Sequence, residues 1–229
     1  MDDLMAYSYK SKPNFELTYK EDDGRISLAY EHLPAIPRKI ADKFALRTHT
    51  LDLSHNNIKD LMFLSNFKIL HTLILDNNIS LNEKTLPFLP SVRILWLNKC
   101  GIRQLAKWVH RINICTPNIQ QLSLMGNPGI RSTFNGGSSL ENNDYMMYVI
   151  GNLPYLEVLD DARITDDQRE VAIANVSSLA INGTASINFH KHYTSEITNR
   201  PTILKHDAKA IRHFGQLVPK RSTYKFDGA

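Results

Sequence analysis

Cysteine is scarce in this chain: two residues in 229, Cys100 and Cys115. That excludes a disulfide-stapled secreted scaffold and a multi-cysteine zinc module. No stretch of about 20 apolar residues exists, which excludes a transmembrane helix. The first residues, Met1-Asp2-Asp3-Leu4-Met5, are acidic and lack an apolar signal core, so a cytoplasmic location is expected. No GxxxxGK[ST] phosphate cradle, catalytic triad spacing, paired carboxylates, metal cluster or cofactor fingerprint occurs. The expectation is therefore a chain that is not an enzyme, takes no cofactor or metal, and has no small-molecule substrate. At 42% hydrophobic and 22% charged residues the composition is that of an ordinary globular domain, long enough for a sizeable core.

A charge of one sign is also missing from most of the chain. Residues 1–189 hold 19 Lys+Arg against 20 Asp+Glu, whereas residues 190–229 hold 8 against 3. The overall +4 is thus the property of a basic tail attached to a near-neutral body. A body without a basic face argues against nucleic acid.

What is present is a repeat. Thr48-His-Thr-Leu51-Asp-Leu53-Ser-His-Asn56-Asn-Ile58, Leu70-His-Thr-Leu73-Ile-Leu75-Asp-Asn-Asn78, Val92-Arg-Ile-Leu95-Trp-Leu97-Asn-Lys-Cys100 and Ile119-Gln-Gln-Leu122-Ser-Leu124-Met-Gly-Asn127 all fit LxxLxLxx[NC]. Degenerate copies flank them, Ile26-Ser-Leu28 with Leu33 and Leu156-Glu-Val-Leu159-Asp160. The paired leucines point inward from a short strand, and the Asn or Cys side chain bonds turn backbone as a ladder from coil to coil. Leu61, Leu64, Phe67, Leu86 and Leu89 supply later core positions. Leu105, Trp108, Val109 and Ile112 have helical spacing, so Trp108 reads as core on a convex helix. Asn78, at a ladder position, should be buried and its N-x-[ST] triplet unmodified, and Cys100 should be a buried structural thiol. One coil cannot bury its own apolar face, so the copies stack into a solenoid with caps. The fold class is α/β: a leucine-rich repeat solenoid with parallel strands on the concave face, helices and 3-10 turns on the convex face, and a C-terminal cap.

The organisation expected is a polar lead at 1–23, repeats at 24–144, a cap at 145–172, and an extension with the basic tail at 173–229. Thr165 and Gln168 have capping-box spacing and should open a closing helix. The segment 126–144, rich in Gly, Asn and Ser, reads as a tolerated loop. After Val171 two alternatives stand: the cap helix continues through Leu179, or Leu179–Ile181 pairs with Ser186–Phe189 across an Asn182-Gly183 turn. His190-Lys-His192 lacks a third ligand and reads as solvated.

Tyr145-Met-Met-Tyr148-Val-Ile150-Gly-Asn-Leu153-Pro154-Tyr-Leu156-Glu-Val-Leu159-Asp160, followed by Ile164-Thr165 and Arg169-Glu170, resembles the cap of one leucine-rich-repeat group. That group includes spliceosomal snRNP A-prime proteins, acidic nuclear phosphoproteins and adaptors. Within it, Leu73–Asn78, Leu86–Pro90, Leu97–Lys99, Thr116–Asn118 and Leu122–Asn127 are similar to the leucine-rich melanocyte differentiation-associated family. The resemblance covers roughly residues 70–172. It implies a non-enzymatic adaptor in vesicle trafficking, with a Rab-type small GTPase or an endosomal sorting complex as partner, reached on vesicle membranes through those partners. The alternatives it implies are a ribonucleoprotein component of nuclear location, or a regulator of a phosphatase or GTPase. Residues 190–229 do not align with that family's acidic, leucine-terminated end.

Residues between the leucines face the concave surface. Ser27, Asp52, Ile74, Trp96 and Ser123 form one column, and Thr50, Thr72, Ile94 and Gln121 another. Ile74, Ile94, Trp96 and Met125 should then cluster on a polar surface, with Asp76, Asn98 and Lys99 at the rim. An exposed tryptophan in an apolar patch with a polar rim is hot-spot chemistry. These seven residues are the candidate partner site, set against coverage of the patch by the protein's own lead or tail.

Overall fold

The computed structural model describes residues 20–36 and 38–182. The expected strands form one sheet in chain order. They are β1 (Lys20–Asp22), β2 (Arg25–Ser27), β3 (Thr50–Asp52), β4 (Thr72–Ile74), β5 (Ile94–Trp96), β6 (Gln121–Ser123), β7 (Val158–Leu159) and β8 (Ala162–Arg163). β2 to β7 pair in parallel, and the hairpin strands β1 and β8 close the two ends antiparallel. Ile26, Leu51, Leu73, Leu95, Leu122 and Leu159 stand opposite one another and are buried. The solenoid is this one register carried from coil to coil.

The ladder fixes the spacing of the coils. Asn78 Nδ2 donates to the Leu53 and Leu75 carbonyls at 2.9 and 2.8 Å, and its Oδ1 accepts the Ile58 N–H at 3.0 Å. Asn56 and Asn127 repeat the pattern, donating to Leu28 and Leu53 and to Leu97 and Leu124. Cys100 Sγ takes the same position, with its thiol near the Leu75 carbonyl at 3.2 Å and the Asn98 carbonyl at 3.4 Å. Buried carbonyls and amides that no strand pairs are satisfied this way. Asn78 is fully buried, and burial pushes the Cys100 thiol up to about 12.

The convex side carries short helices. α1 (Arg38–Phe44) covers the first coil and α2 (Leu105–Cys115) the fourth, with Leu105, Trp108, Val109 and Ile112 all buried. Trp108, 4% exposed, is core. Two 3-10 turns, Met62–Asn66 and Glu83–Thr85, serve the coils between them. α3 (Ser139–Asn152) and α4 (Asp166–Asn182) pack against each other over the C-terminal end.

Two expectations are corrected, and of two alternatives left open one is selected. The sheet starts at Lys20, inside the segment expected as lead, because Asp23 and Gly24 adopt left-handed φ of 33° and 79° and turn a hairpin. The 126–144 loop is shorter than expected. Its end is helical from Ser139, since Ser138 and Glu141 make a reciprocal capping box. Leu179–Ile181 is helical, not a hairpin strand: α4, opened by Thr165 and Gln168 bonding one another, runs to Asn182. The Ser186–Phe189 flank, His190-Lys-His192 and the basic tail lie outside the described residues.

Candidate functional site: the concave sheet face

The parallel register brings the candidate residues together. Asp52, Ile74, Trp96 and Ser123 are consecutive neighbours across β3 to β6, and Thr50, Thr72, Ile94 and Gln121 form the adjoining column. Trp96 is 41% exposed, an unusual position for an indole on a regular strand. Ile94 is half-buried on the same strand. Ile74 departs from the expected patch: it is only 9% exposed, lying between Asp52 and Trp96. Met125 is half-buried as well. The exposed apolar surface therefore centres on Trp96, edged by Ile94, Ile74 and Met125.

The polar rim is largely engaged in holding the coils. Asp76 Oδ1 accepts the Asn98 N–H at 2.8 Å, and Asp76 Oδ2 accepts Asn98 Nδ2 at 3.2 Å. Asn98 Oδ1 in turn accepts the Ser123 hydroxyl at 2.7 Å and the Met125 N–H at 2.8 Å. Asp76 and Asn98 are thus links in a chain of side chains that crosses three coils, not open rim groups. Burial raises the Asp76 carboxyl above its ordinary value, against the lowering pull of the Asn98 bonds. Asp52 is likewise occupied: it takes the Ser54 hydroxyl at 2.8 Å and lies 3.5 Å from the Arg25 guanidinium. Lys99 is exposed, in a left-handed turn at φ 53°, with its stem lying over Gly126.

Two rows flank the strands; of their members the sequence alone places only Lys99 at the rim. Tyr30, His55, Asn77, Lys99 and Gly126 occupy successive left-handed turn positions at one rim. There the Tyr30 ring stacks on His55 at 4.0 Å, and His55 Nε2 lies 3.2 Å from Asn77 Nδ2. At the opposite rim the carbonyls of His49, His71 and Arg93 each accept two N–H groups of the next coil, which aligns their side chains. His71, Arg93, Ile94, Gln120, Gln121 and Glu157 line a shallow cavity of about 320 Å³ there. The signal was available as the residue before each ladder Asn and the residue two before each first strand leucine.

At the C-terminal end, Asp160 accepts the Leu124 N–H at 2.7 Å and the Tyr145 hydroxyl at 2.6 Å, joining the last coil to α3. Burial raises the Asp160 carboxyl despite both bonds. Among the described residues no three His, Cys, Asp or Glu side chains gather as a metal site, and no helix is long and apolar enough to cross a membrane. What this face offers is shape and apolar surface for noncovalent binding.

No protein-family model matches the chain. It is 36% identical over 131 residues to the human (Homo sapiens) leucine-rich melanocyte differentiation-associated protein, covering 54% of this chain and 65% of that protein, so it spans less than two thirds of that relative. It also matches a chain of the Drosophila melanogaster SNF/U2A' complex at a TM-score of 0.45 and 23% identity, over 66% of this chain and 79% of that one. The coil register and the asparagine ladder give this chain the fold of a leucine-rich repeat solenoid, and over 131 residues it is similar to the human protein.

Proposed function

We propose that the protein is a non-enzymatic interaction scaffold that binds a protein partner through the concave face. The observation that carries this reading is Trp96, which stands 41% exposed in the middle of a sheet whose other large apolar side chains are buried or half-buried. Leaving an indole in water forfeits burial free energy, and a partner that covers it recovers that term. The rim supports the same reading: Asp52, Asp76 and Asn98 are already bonded, so a partner meets a firm surface and does not have to order it.

The finer form of the proposal is an adaptor in vesicle trafficking whose partner is a Rab-type small GTPase or an endosomal sorting complex. It rests on the family resemblance of residues 70–172. Affinity capture from cell extract, with the wild type and Trp96→Ala side by side, tests the scaffold. Identical prey lists would remove the concave face from the account. Capture of a small GTPase loaded with a GTP analogue, and not with GDP, tests the finer form, and equal capture in both states rejects an effector role. The ribonucleoprotein alternative has less support, because the concave columns hold Asp52, Ile74, Trp96 and Ser123 where an RNA surface wants cations.

A further inference from the structure

We infer that the convex side of the solenoid, which carries α1, the two 3-10 turns and α2, is a contact surface for an anionic phospholipid bilayer. This goes beyond the concave-face reading, which concerns the opposite side of the sheet.

Charge is the first argument, because the near-neutral body hides a separation. The convex segments 38–47, 59–68, 83–90 and 103–115 hold ten Lys and Arg against three Asp and Glu. All ten except the half-buried Arg111 are exposed. One of the three acids, Asp42, lies 3.7 Å from Arg38. The balancing charge is gathered at the C-terminal end, where residues 139–170 hold eight Asp and Glu against two Arg. A body polarised in this way turns its convex side toward an anionic plane and its acidic end away from it.

The cations stand on one continuous surface. α1 packs against the 62–66 turn, and α2 against the 83–85 turn. Between the two turns, the Leu61 N–H donates to Thr85 Oγ1 and the Asn82 N–H to the Lys59 carbonyl, both at 3.0 Å. Arg111 reaches from α2 to the Leu86 carbonyl at 2.6 Å.

Apolar exposure is the second argument. The same surface carries one large side chain per coil that is more than half exposed: Leu46, Met62, Phe88 and Ile114. Phe88 and Ile114 occupy neighbouring places on adjacent coils, since the residues after them are joined by the Leu89 N–H and the Cys115 carbonyl at 2.6 Å. Apolar side chains among cations suit the boundary between headgroups and acyl chains. Six of the ten cations are Lys, charges on flexible stems that a fluid headgroup layer accepts without fixed geometry. RNA fits less well, because bases stack on aromatic rings and offer nothing to Leu46, Met62 or Ile114.

Cosedimentation of the full chain with phosphatidylcholine vesicles, with and without about one third phosphatidylserine, tests the inference. Binding is expected only with phosphatidylserine, and it should weaken as salt is added. Lys59→Gln with Lys84→Gln should weaken it roughly 25-fold, about fivefold for each charge. Phe88→Ser with Ile114→Ser should weaken it by about tenfold or more, from the lost burial of two large side chains. All four side chains project from the surface away from the concave face, so both double variants should keep the wild-type circular dichroism spectrum and the partner captured through Trp96. No binding, or equal binding to both vesicles, would overturn the inference. So would wild-type binding by the Lys59 and Lys84 variant, which would assign the vesicle contact to residues 190–229. Binding untouched by Phe88→Ser and Ile114→Ser would leave a bare polycation, equally suited to RNA, and would overturn it as well.

Discussion

Replacing Asn78 by Ala tests the ladder on which the concave face depends. The side chain is fully buried: it accepts the Ile58 N–H, donates to the Leu53 and Leu75 carbonyls, and lies 3.4 Å from the Asp76 carbonyl. The losses are unequal. The Leu53 carbonyl keeps the Asn56 amide at 2.9 Å, and the Leu75 carbonyl keeps the Cys100 thiol at 3.2 Å. The Ile58 N–H loses its acceptor inside the core, a desolvation cost of roughly 1–3 kcal/mol, and each lost donated bond adds about 0.5–1.5 kcal/mol. The sum is about 3 kcal/mol. With a urea slope near 2 kcal/mol/M, the unfolding midpoint should fall by about 1.5 M. Cys100→Ala, which removes one weak sulfur donor at the equivalent position, should cost only about 1 kcal/mol. Urea denaturation followed by far-UV circular dichroism measures both. If Asn78→Ala lies within about 1 kcal/mol of the wild type, or costs less than Cys100→Ala, the ladder does not hold the coils as described.

Other outcomes follow from the same contacts. Asp160 has its carboxyl raised by burial, so the folded state holds that proton more tightly than the unfolded chain does; its contribution is present below the ordinary value of 3.8 and is lost as pH rises through the raised folded value. Asp160→Asn should flatten this decline in a series of denaturation curves from acid to neutral pH, and an unchanged profile would contradict it. Tyr145→Phe removes one of the two bonds to that carboxylate and should cost about 1.5–3 kcal/mol near neutral pH. Gly129→Ala would drive a methyl group into the Arg103 carbonyl oxygen, so a loss of about 1–3 kcal/mol in thermal or urea unfolding is expected, and a neutral result would mean that the coil junction gives way.

The repeat was legible because its hydrogen bonds constrain residue type: only a short amide, or a thiol at reduced strength, reaches the carbonyls of two coils at once. Trp108, Asn78 and the closing helix could be placed for the same local reasons. The Asp23-Gly24 hairpin and the Ser138-x-x-Glu141 cap carried ordinary local signals too. They were obscured by an acidic lead on one side and a Gly- and Ser-rich stretch on the other. The state of the rim was not legible. Asp76 points at Asn98, which lies 22 residues later, and Asn98 reaches on to Ser123 and Met125. Which rim residues are engaged depends on the pairing between coils, and the coils of Asp76 and Asn98 each show, taken alone, only a polar residue after the second leucine. Ile74 teaches the same lesson: its exposure is set by the side chains beside it in the sheet.

The most direct measurement places a photo-crosslinking phenylalanine analogue at position 96 in one chain and at Lys107, on the convex helix α2, in another, and exposes both to cell extract. The account predicts a discrete cross-linked partner from position 96 that is absent from position 107. Cross-links from position 107 alone, or the same products from both, would contradict the claim that the concave face is the binding surface.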